Sequence, residues 1–110
     1  MTLEWNNVGP SAQGMEMLCG ALGENKSLVS VDLRNNRIGG SASMYLSNMI
    51  RLNNSIQNLD LRWNEIGTEG AKGMISALEK NRTLIQLELS GNKIGEEVLT
   101  VIGRYSSLIQ

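Results

Sequence analysis

One internal repeat with a fixed period limits the folds open to this chain. The segment Ser55-Ile-Gln-Asn-Leu-Asp-Leu-Arg-Trp-Asn-Glu-Ile-Gly67 recurs upstream at 27–39 and downstream at 83–95. The corresponding leucines, Leu33, Leu61 and Leu89, are evenly spaced, since 61 − 33 and 89 − 61 are both 28. Because each copy carries its apolar residues at the same places, each must bury them against its neighbours. The repeat therefore predicts a stack of similar units with one continuous core.

The copies follow the pattern L-x-x-L-x-L-x-x-N, with Val31 and Ile56 each in place of one leucine, and at this period the pattern is the signature of a leucine-rich repeat. A short strand and a helix alternate in such a unit, so successive strands must be parallel and their crossovers right-handed. The predicted fold class is α/β: a right-handed leucine-rich-repeat solenoid, with parallel strands on its concave face and helices on its convex face.

A fourth copy of the strand and turn lies at 2–9, where Leu3 corresponds to Leu33 at an offset of 30. The two extra residues fall in the loop at 9–14, which contains Pro10. We predict a single repeat domain over 1–110, with units at about 1–27, 28–55, 56–83 and 84–110. Because the chain starts within a repeat, we interpret it as a fragment of a longer protein.

The composition argues against several classes of function. The formal charge is −1, with acids and bases interspersed, so no charge pattern indicates binding to nucleic acid or to an anionic membrane. No run approaches the roughly 20 apolar residues of a membrane-spanning helix. The chain has one cysteine and no histidine, so we expect no catalytic residue, no metal and no cofactor. The unpaired cysteine favours the reducing cytoplasm.

Hydrophobic periodicity predicts strands at about 29–33, 57–61 and 85–89, and helices at about 11–24, 40–52, 68–80 and 96–105. The last helix has the widest apolar surface, which is typical of a terminal, capping unit. Thr68 and Glu69 suggest a cap and a favourable charge for the third helix. Cys19 is expected beside the buried stripe of the first helix, as a semi-buried structural thiol rather than a reactive one. The residues expected to face the core from the first three helices are Met15, Leu18, Ala21, Leu22, Ala42, Leu46, Met49, Ile50, Ala71, Met74, Ala77 and Leu78.

Two sets of asparagines repeat with the units. The first follows the strands, where a side-chain amide can bond to the backbone of the turn. We predict that it forms a structural ladder: Asn6, Asn36, Asn64 and Asn92. The second set begins the glycosylation sequons at 25–27, 53–55 and 81–83, which also recur every 28 residues. We interpret these as turns, in which asparagine adopts the left-handed conformation that ends a helix.

The residues that alternate with the buried leucines are expected on the concave face. Strands about 4.8 Å apart would bring their carboxylates together, so we predict that arginines interleave with the aspartates in a lattice. Two readings stay open: a solvated mixed-charge face that contributes little energy, or a polar surface that recognises a protein. One column there reads Thr2, Asp32, Asp60, Glu88, and the next reads Glu4, Arg34, Arg62, Ser90.

Trp5 and Trp63 occupy one repeat position, where Asn35 and Gly91 stand in the other units. We expect both indoles at the edge of the concave face, and tryptophan at such a place is typical of binding hot spots. The alternative is that each ring only covers the turn beneath it. The predicted protein-binding residues are Trp5, Asp32, Arg34, Asp60, Arg62, Trp63 and Glu88.

Both ends of the stack are expected to expose surfaces that can associate with another chain. The strand at 2–5 has no unit before it, and an uncovered strand edge can pair with another chain. At the other end, 106–109 stops where a further strand would begin. We therefore expect the isolated chain to self-associate through one or both ends.

The helix pattern Gly70-Ala-x-x-Met-x-x-Ala-Leu78, followed by Asn81-x-Thr-Leu84, resembles the ribonuclease-inhibitor-like subfamily of leucine-rich repeats. This resemblance covers the whole chain. A narrower one, to the leucine-rich repeat-containing protein 45 family of the centrosome linker and ciliary base, lies in four segments. These are Thr2-Leu-Glu-Trp-Asn, Asp32-Leu-Arg-Asn-Asn, Leu59-Asp-Leu-Arg-Trp-Asn and Asn81-Arg-Thr-Leu.

The narrower resemblance implies a non-catalytic scaffold that supports centrosome cohesion and ciliogenesis. In that family a long coiled coil follows the repeats, and the implied partners are centrosomal coiled-coil proteins such as rootletin. The wider subfamily supplies the alternatives, a Ran GTPase-activating protein or a tropomodulin-like actin cap. A ribonuclease inhibitor would carry a strongly acidic face, and the net charge of −1 argues against one.

Overall fold

The computed structural model of the chain describes residues 1–102, without the side chains of Leu99, Val101 and Ile102. Strands and helices alternate within that range, as the repeat predicts. Three predictions lie outside the described residues. They are the continuation of the last helix to about 105, the apolar surface formed by those three side chains, and the strand start at 106–109. The elements are α1 (Ala12–Glu24), β1 (Ser30–Asp32), α2 (Ser43–Leu52), β2 (Asn58–Asp60), α3 (Gly67–Leu78), β3 (Gln86–Glu88) and α4 (Glu96–Ile102).

The three strands form one parallel sheet in the order β1-β2-β3. Leu59 pairs with Val31 on one side and with Leu87 on the other, so the register equals the repeat period. The predicted α/β solenoid is confirmed, because residues that correspond between units lie side by side. The first copy at 2–9 joins the sheet through a single parallel bridge between Thr2 and Asp32.

Each strand is three residues long, shorter at both ends than we predicted. Ladder bonds continue past the strand ends, since Leu33 N donates to Asp60 O at 2.9 Å and Leu61 N donates to Glu88 O at 2.9 Å. Two residues after each leucine, the backbone turns to positive φ at Asn35 and at Trp63. This left-handed turn ends the extended conformation.

The core lies between the sheet and the inner faces of the helices. The strand leucines are buried, and so are all the predicted core residues of α2 and α3. Ala21 of α1 was predicted to be buried and is exposed. Met49 and Ala77, at its repeat position, are buried, because each has a preceding helix to pack against and Ala21 has none. Cys19 lies within the buried stripe, at 4% exposure, deeper than the semi-buried position we expected.

Helix starts differ in how they are capped. The Oγ of Ser11 accepts a hydrogen bond of 2.9 Å from Gly14 N at the start of α1, and so satisfies one of the free backbone N–H groups of the first helical turn. We predicted that Thr68 caps α3, and this is wrong: the N-cap residue is Ile66, with no side-chain bond. The Thr68 Oγ1 instead accepts a bond of 2.8 Å from Gly95 N, which ties unit 3 to unit 4.

The sequon asparagines shape the turns after the helices. The Oδ1 of Asn53 accepts bonds from Ser55 N (2.8 Å) and Ile56 N (2.7 Å), and its Nδ2 donates 2.7 Å to Leu22 O in the preceding unit. Their interpretation as turns is confirmed, but the left-handed conformation is wrong. At Asn53, φ is −75° and ψ is 139°, because the side-chain bonds organise the turn while the backbone stays extended.

Candidate functional site on the concave face

The strand register brings charged side chains into a row on the concave face. Asp32 lies beside Asp60, and Asp60 lies beside Glu88, on neighbouring strands. An arginine follows two residues after each aspartate, so its guanidinium lies over the carboxylate of its own unit. We call the row formed by Glu4, Asp32, Arg34, Asp60, Arg62 and Glu88 the charge lattice.

Arg34 joins three carboxylates of the charge lattice. Its Nη2 lies 2.8 Å from Asp32 Oδ2 and 3.2 Å from Glu4 Oε1. Its Nε lies 3.4 Å from Asp60 Oδ2, across the strand boundary. The predicted interleaving of arginines and aspartates is therefore present. Glu4, which was not among our predicted binding residues, joins it because its column places it beside Arg34.

Arg62 repeats the arrangement with a looser contact at its far side. Its Nη2 lies 2.8 Å from Asp60 Oδ2 but 3.8 Å from Glu88 Oε2. No arginine follows Glu88 by two residues, because Ser90 stands at that repeat position. Four carboxylates thus share two guanidinium groups, and the shortfall is greatest at Glu88.

These contacts shift the pKa values of the carboxyl groups in opposite directions. Hydrogen bonds from Arg34 hold the pKa of Asp32 below its usual range. Burial raises the pKa of Asp60, but hydrogen bonds from Arg62 outweigh it, so that this pKa is also lowered. Burial and the neighbouring charge of Asp60 raise the pKa of Glu88. The carboxylate with the weakest arginine contact is therefore the one whose negative charge is least stabilised.

Both tryptophans lie at the rim of the concave face in an unusual backbone conformation. Trp5 has a φ of 66° and Trp63 has a φ of 61°. Their side chains are 72% and 59% exposed. A bulky side chain in the left-handed region costs about 1–2 kcal/mol, and exposed indoles recover little of that by burial. The repeat position requires positive φ, since Asn35 and Gly91 adopt it as well.

The Trp63 indole packs against the next unit. A Cβ added to Gly91 would overlap the ring atoms Cδ2, Cε3 and Cζ3 of Trp63. The ring therefore lies directly on the Gly91 backbone, next to Ser90, while more than half of the Trp63 surface stays exposed. The ring does cover the turn of the next unit, and its role in binding stays a prediction.

The asparagine ladder holds the turns in register beneath the concave face. Asn64 Oδ1 accepts from Asn36 N (2.9 Å) and Ile38 N (3.1 Å), while its Nδ2 donates to Leu33 O (3.0 Å) and Leu61 O (2.9 Å). Three of these four groups belong to the preceding unit, so the ladder connects units as well as closing turns. Asn36 and Asn92 follow the same pattern. Asn6, in the first of the described units, is exposed.

Sequence reasoning missed two features of this surface. Glu4 belongs to the charge lattice, and its column in the repeat alignment was the signal for it. The sequon asparagines form a second ladder between units, in which the Nδ2 atoms of Asn53 and Asn81 donate to carbonyl oxygens one unit earlier. No pattern within a single repeat indicates this connection, because the donor and the acceptor of each bond belong to different repeats.

The described part of the chain bears on metal binding, on thiol reactivity and on membrane spanning. Within residues 1–102, no group of three or more His, Cys, Asp or Glu side chains is arranged to hold a metal ion. Burial raises the pKa of the Cys19 thiol to about 12, which suppresses the reactive thiolate. In the same range, no helix combines the length and hydrophobicity that crossing a membrane would require.

Comparison with known proteins agrees with the fold. The Leucine Rich repeat family model matches residues 24–47, 52–74 and 80–97, which is more than half of the chain. A search of curated proteins returns no match. The solved structure of Leiomodin-1 Actin-Binding Site 2 (ABS2) is similar, with a TM-score of 0.83 and 22% identity over 97% of this chain. The chain spans 66% of the length of that structure. On the family match and the parallel repeat architecture, this chain belongs to the leucine-rich-repeat family.

Proposed function

We propose that the chain is a non-catalytic scaffold that binds a protein partner through its concave face. One observation supports this most strongly: Trp5 and Trp63 are held largely exposed, in a backbone conformation that is unfavourable for a bulky side chain. The turn imposes this conformation in every unit, so exposed indoles at a position where Asn35 and Gly91 stand in the other units serve the surface rather than the turn. Two open indoles beside a row of charged groups give a partner both apolar anchors and polar contacts.

The charge lattice supplies orientation rather than much affinity. Its side chains are 16–35% exposed, and each lies within 3.8 Å of an opposite charge, although two guanidinium groups serve four carboxylates. Partly exposed ion pairs contribute roughly 0.2–1 kcal/mol each. A partner whose charges complement the charge lattice can bind without breaking these ion pairs. A partner with mismatched charges would have to break them. The lattice residues concerned are Asp32, Arg34, Asp60, Arg62 and Glu88. The indoles therefore carry the energy in this proposal, and the lattice selects the partner.

The resemblance to leucine-rich repeat-containing protein 45 supports a specific cellular role. In this proposal the repeats act at the centrosome linker and ciliary base of the cytoplasm. There they bind a centrosomal coiled-coil protein such as rootletin and support centrosome cohesion.

An actin regulator is the second candidate. The structural likeness to Leiomodin-1 Actin-Binding Site 2 favours it over a GTPase-activating role, although at 22% identity that likeness speaks for the fold alone. Cosedimentation with filamentous actin separates the two candidates. Retention by actin and not by purified rootletin would replace the centrosomal proposal.

The test of the concave face uses substitutions that the repeat already tolerates. Asn35 adopts the same positive φ as both tryptophans, so Trp5→Asn with Trp63→Asn removes the indoles without straining the backbone. We expect this double variant to fold and to lose binding to rootletin or actin at least tenfold. Leu52→Lys is the matched control, because Leu52 is 70% exposed on the helix side and Lys80 stands at its repeat position. Undiminished binding by the folded double variant would remove the basis of the proposal.

We also propose self-association through the N-terminal end. The first strand donates inward, from Leu3 N to Asp32 O at 2.8 Å, while its other edge faces away from the sheet. On the helix side of the same end of the stack, Ala21 of α1 is exposed. Light scattering over a tenfold concentration range tests this, with Thr2→Pro to block strand pairing, because Leu3 N rather than Thr2 N bonds inward to Asp32 O. A monomer at every concentration would contradict it. The prediction for the other end concerns 106–109, outside the described residues.

A further inference from the structure

The charge lattice has one position where the repeat places a cation and this chain does not. Arg34 and Arg62 each follow an acidic residue by two positions and cover its carboxylate at 2.8 Å. Glu88 is the third acidic residue of that column, and Ser90, exposed and uncharged, follows it. Position 90 therefore supplies no cation to cover Glu88, unlike the corresponding positions of the two preceding units.

The surroundings of position 90 suit a guanidinium group. Glu88 offers a carboxylate whose Oε2 lies 3.8 Å from Arg62 Nη2, the longest contact of the charge lattice. The Trp63 ring lies on Gly91, the residue after Ser90, and Trp63 is 59% exposed. Carboxylates and aromatic rings are the two groups that bind arginine best, and Glu88 and Trp63 supply one of each from neighbouring units. The lattice as a whole favours this, because four carboxylates share two guanidinium groups.

We infer that the concave face binds a partner protein through an arginine side chain seated between Glu88, Ser90 and Trp63, completing the charge lattice. The inference rests on the proposed function and specifies the chemistry of its partner: an extended segment with an arginine, rather than an acidic one. The Glu88 carboxylate orients the guanidinium by hydrogen bonding, and the indole covers its face. The raised pKa of Glu88 agrees with a carboxylate that gains from an added cation.

The experiment titrates the protein with N-acetyl-arginine amide, with N-acetyl-citrulline amide as the neutral isostere, and follows amide and indole N–H resonances. We expect saturable shifts at Ser90, Gly91 and the Trp63 indole with the arginine compound. The citrulline compound should bind at least tenfold more weakly, since it lacks the charge that both groups recognise.

Two variants locate the site. Ser90→Arg supplies the missing cation from the chain itself, as units 2 and 3 do, and should lower affinity for the arginine compound about tenfold; Glu88→Gln should do the same. Gln13→Arg adds the same charge at an exposed position of α1 and should bind normally. Equal binding of citrulline, or unchanged binding by Ser90→Arg, would overturn the inference.

The two proposals fail separately. If the arginine titration fails while Trp5→Asn with Trp63→Asn still abolishes partner binding, the arginine site is wrong and the scaffold stands. If the tryptophan variant binds its partner normally, the concave scaffold is wrong whatever the titration shows.

Discussion

Replacing a ladder asparagine tests the physical account of this fold most directly. Asn64 is 4% exposed, and its amide bonds two backbone donors and two backbone acceptors at 2.9–3.1 Å. Asn64→Ala leaves the N–H groups of Asn36 and Ile38 without this partner in the interior. Each buried donor left unsatisfied costs about 1–3 kcal/mol, so we expect a loss of roughly 4 kcal/mol in the free energy of unfolding. That is a large share of the roughly 5–15 kcal/mol that stabilises a typical domain.

The chain contains its own control at the same repeat position. Asn6 is exposed, and its side chain donates one weak bond, 3.3 Å to Glu4 O. Asn6→Ala is therefore expected to cost less than about 1 kcal/mol. Urea unfolding, followed by circular dichroism, measures both variants, and the slope with denaturant concentration should stay unchanged. Equal losses for the two variants, or less than about 1 kcal/mol for Asn64→Ala, would refute the assignment of the ladder as a connector between units.

Three further outcomes are expected. The pKa of Asp32 is lower in the folded protein than its value of about 3.9 in the unfolded chain. Its ionised form therefore stabilises the fold above that pH, and the contribution is lost as the pH falls. Urea unfolding should show Asp32→Asn less stable than the parent at pH 7 and equal to it near pH 2. Gly91→Ala should cost more than Gly67→Ala, by about 1 kcal/mol or more, because both glycines have positive φ but only Gly91 lies under the Trp63 ring; similar losses in urea would contradict this, and displacement of the ring should shift tryptophan fluorescence. Cys19, buried and with a pKa of about 12, should react with a thiol reagent only after denaturant is added, whereas rapid reaction of the native protein would place it at the surface.

Much of the concave face followed from the sequence because register and repeat period are the same quantity here. Once Leu33, Leu61 and Leu89 are taken as equivalent, Asp32 and Asp60 must lie on adjacent strands, and the arginines two residues on must reach them. The binding role of these residues stays a prediction, since no observation yet tests it. The tryptophans were predicted at the rim, and their positive φ was not, although glycine and asparagine at the same position were a signal for it.

The errors share a cause. Ala21 has the same local pattern as Ala77, yet only the position of α1 in the stack decides whether a neighbouring helix covers it. Thr68 was read as a helix cap because it stands where a cap belongs, but its hydroxyl bonds to Gly95 in the next unit. In each case the deciding partner comes from another repeat, and a pattern read within one repeat cannot show it.

The sequence by itself determined the architecture: a fixed period of apolar residues requires parallel strands in one register and helices stacked behind them. It also determined the order of charges along the concave face. Only the tertiary structure decided how the units are joined, through asparagine amides that reach into the preceding unit, and that the Trp63 ring packs on Gly91. The physical reason is that a repeat encodes the contacts common to all units, whereas each side-chain bond and each exposed surface depends on which particular residues become neighbours.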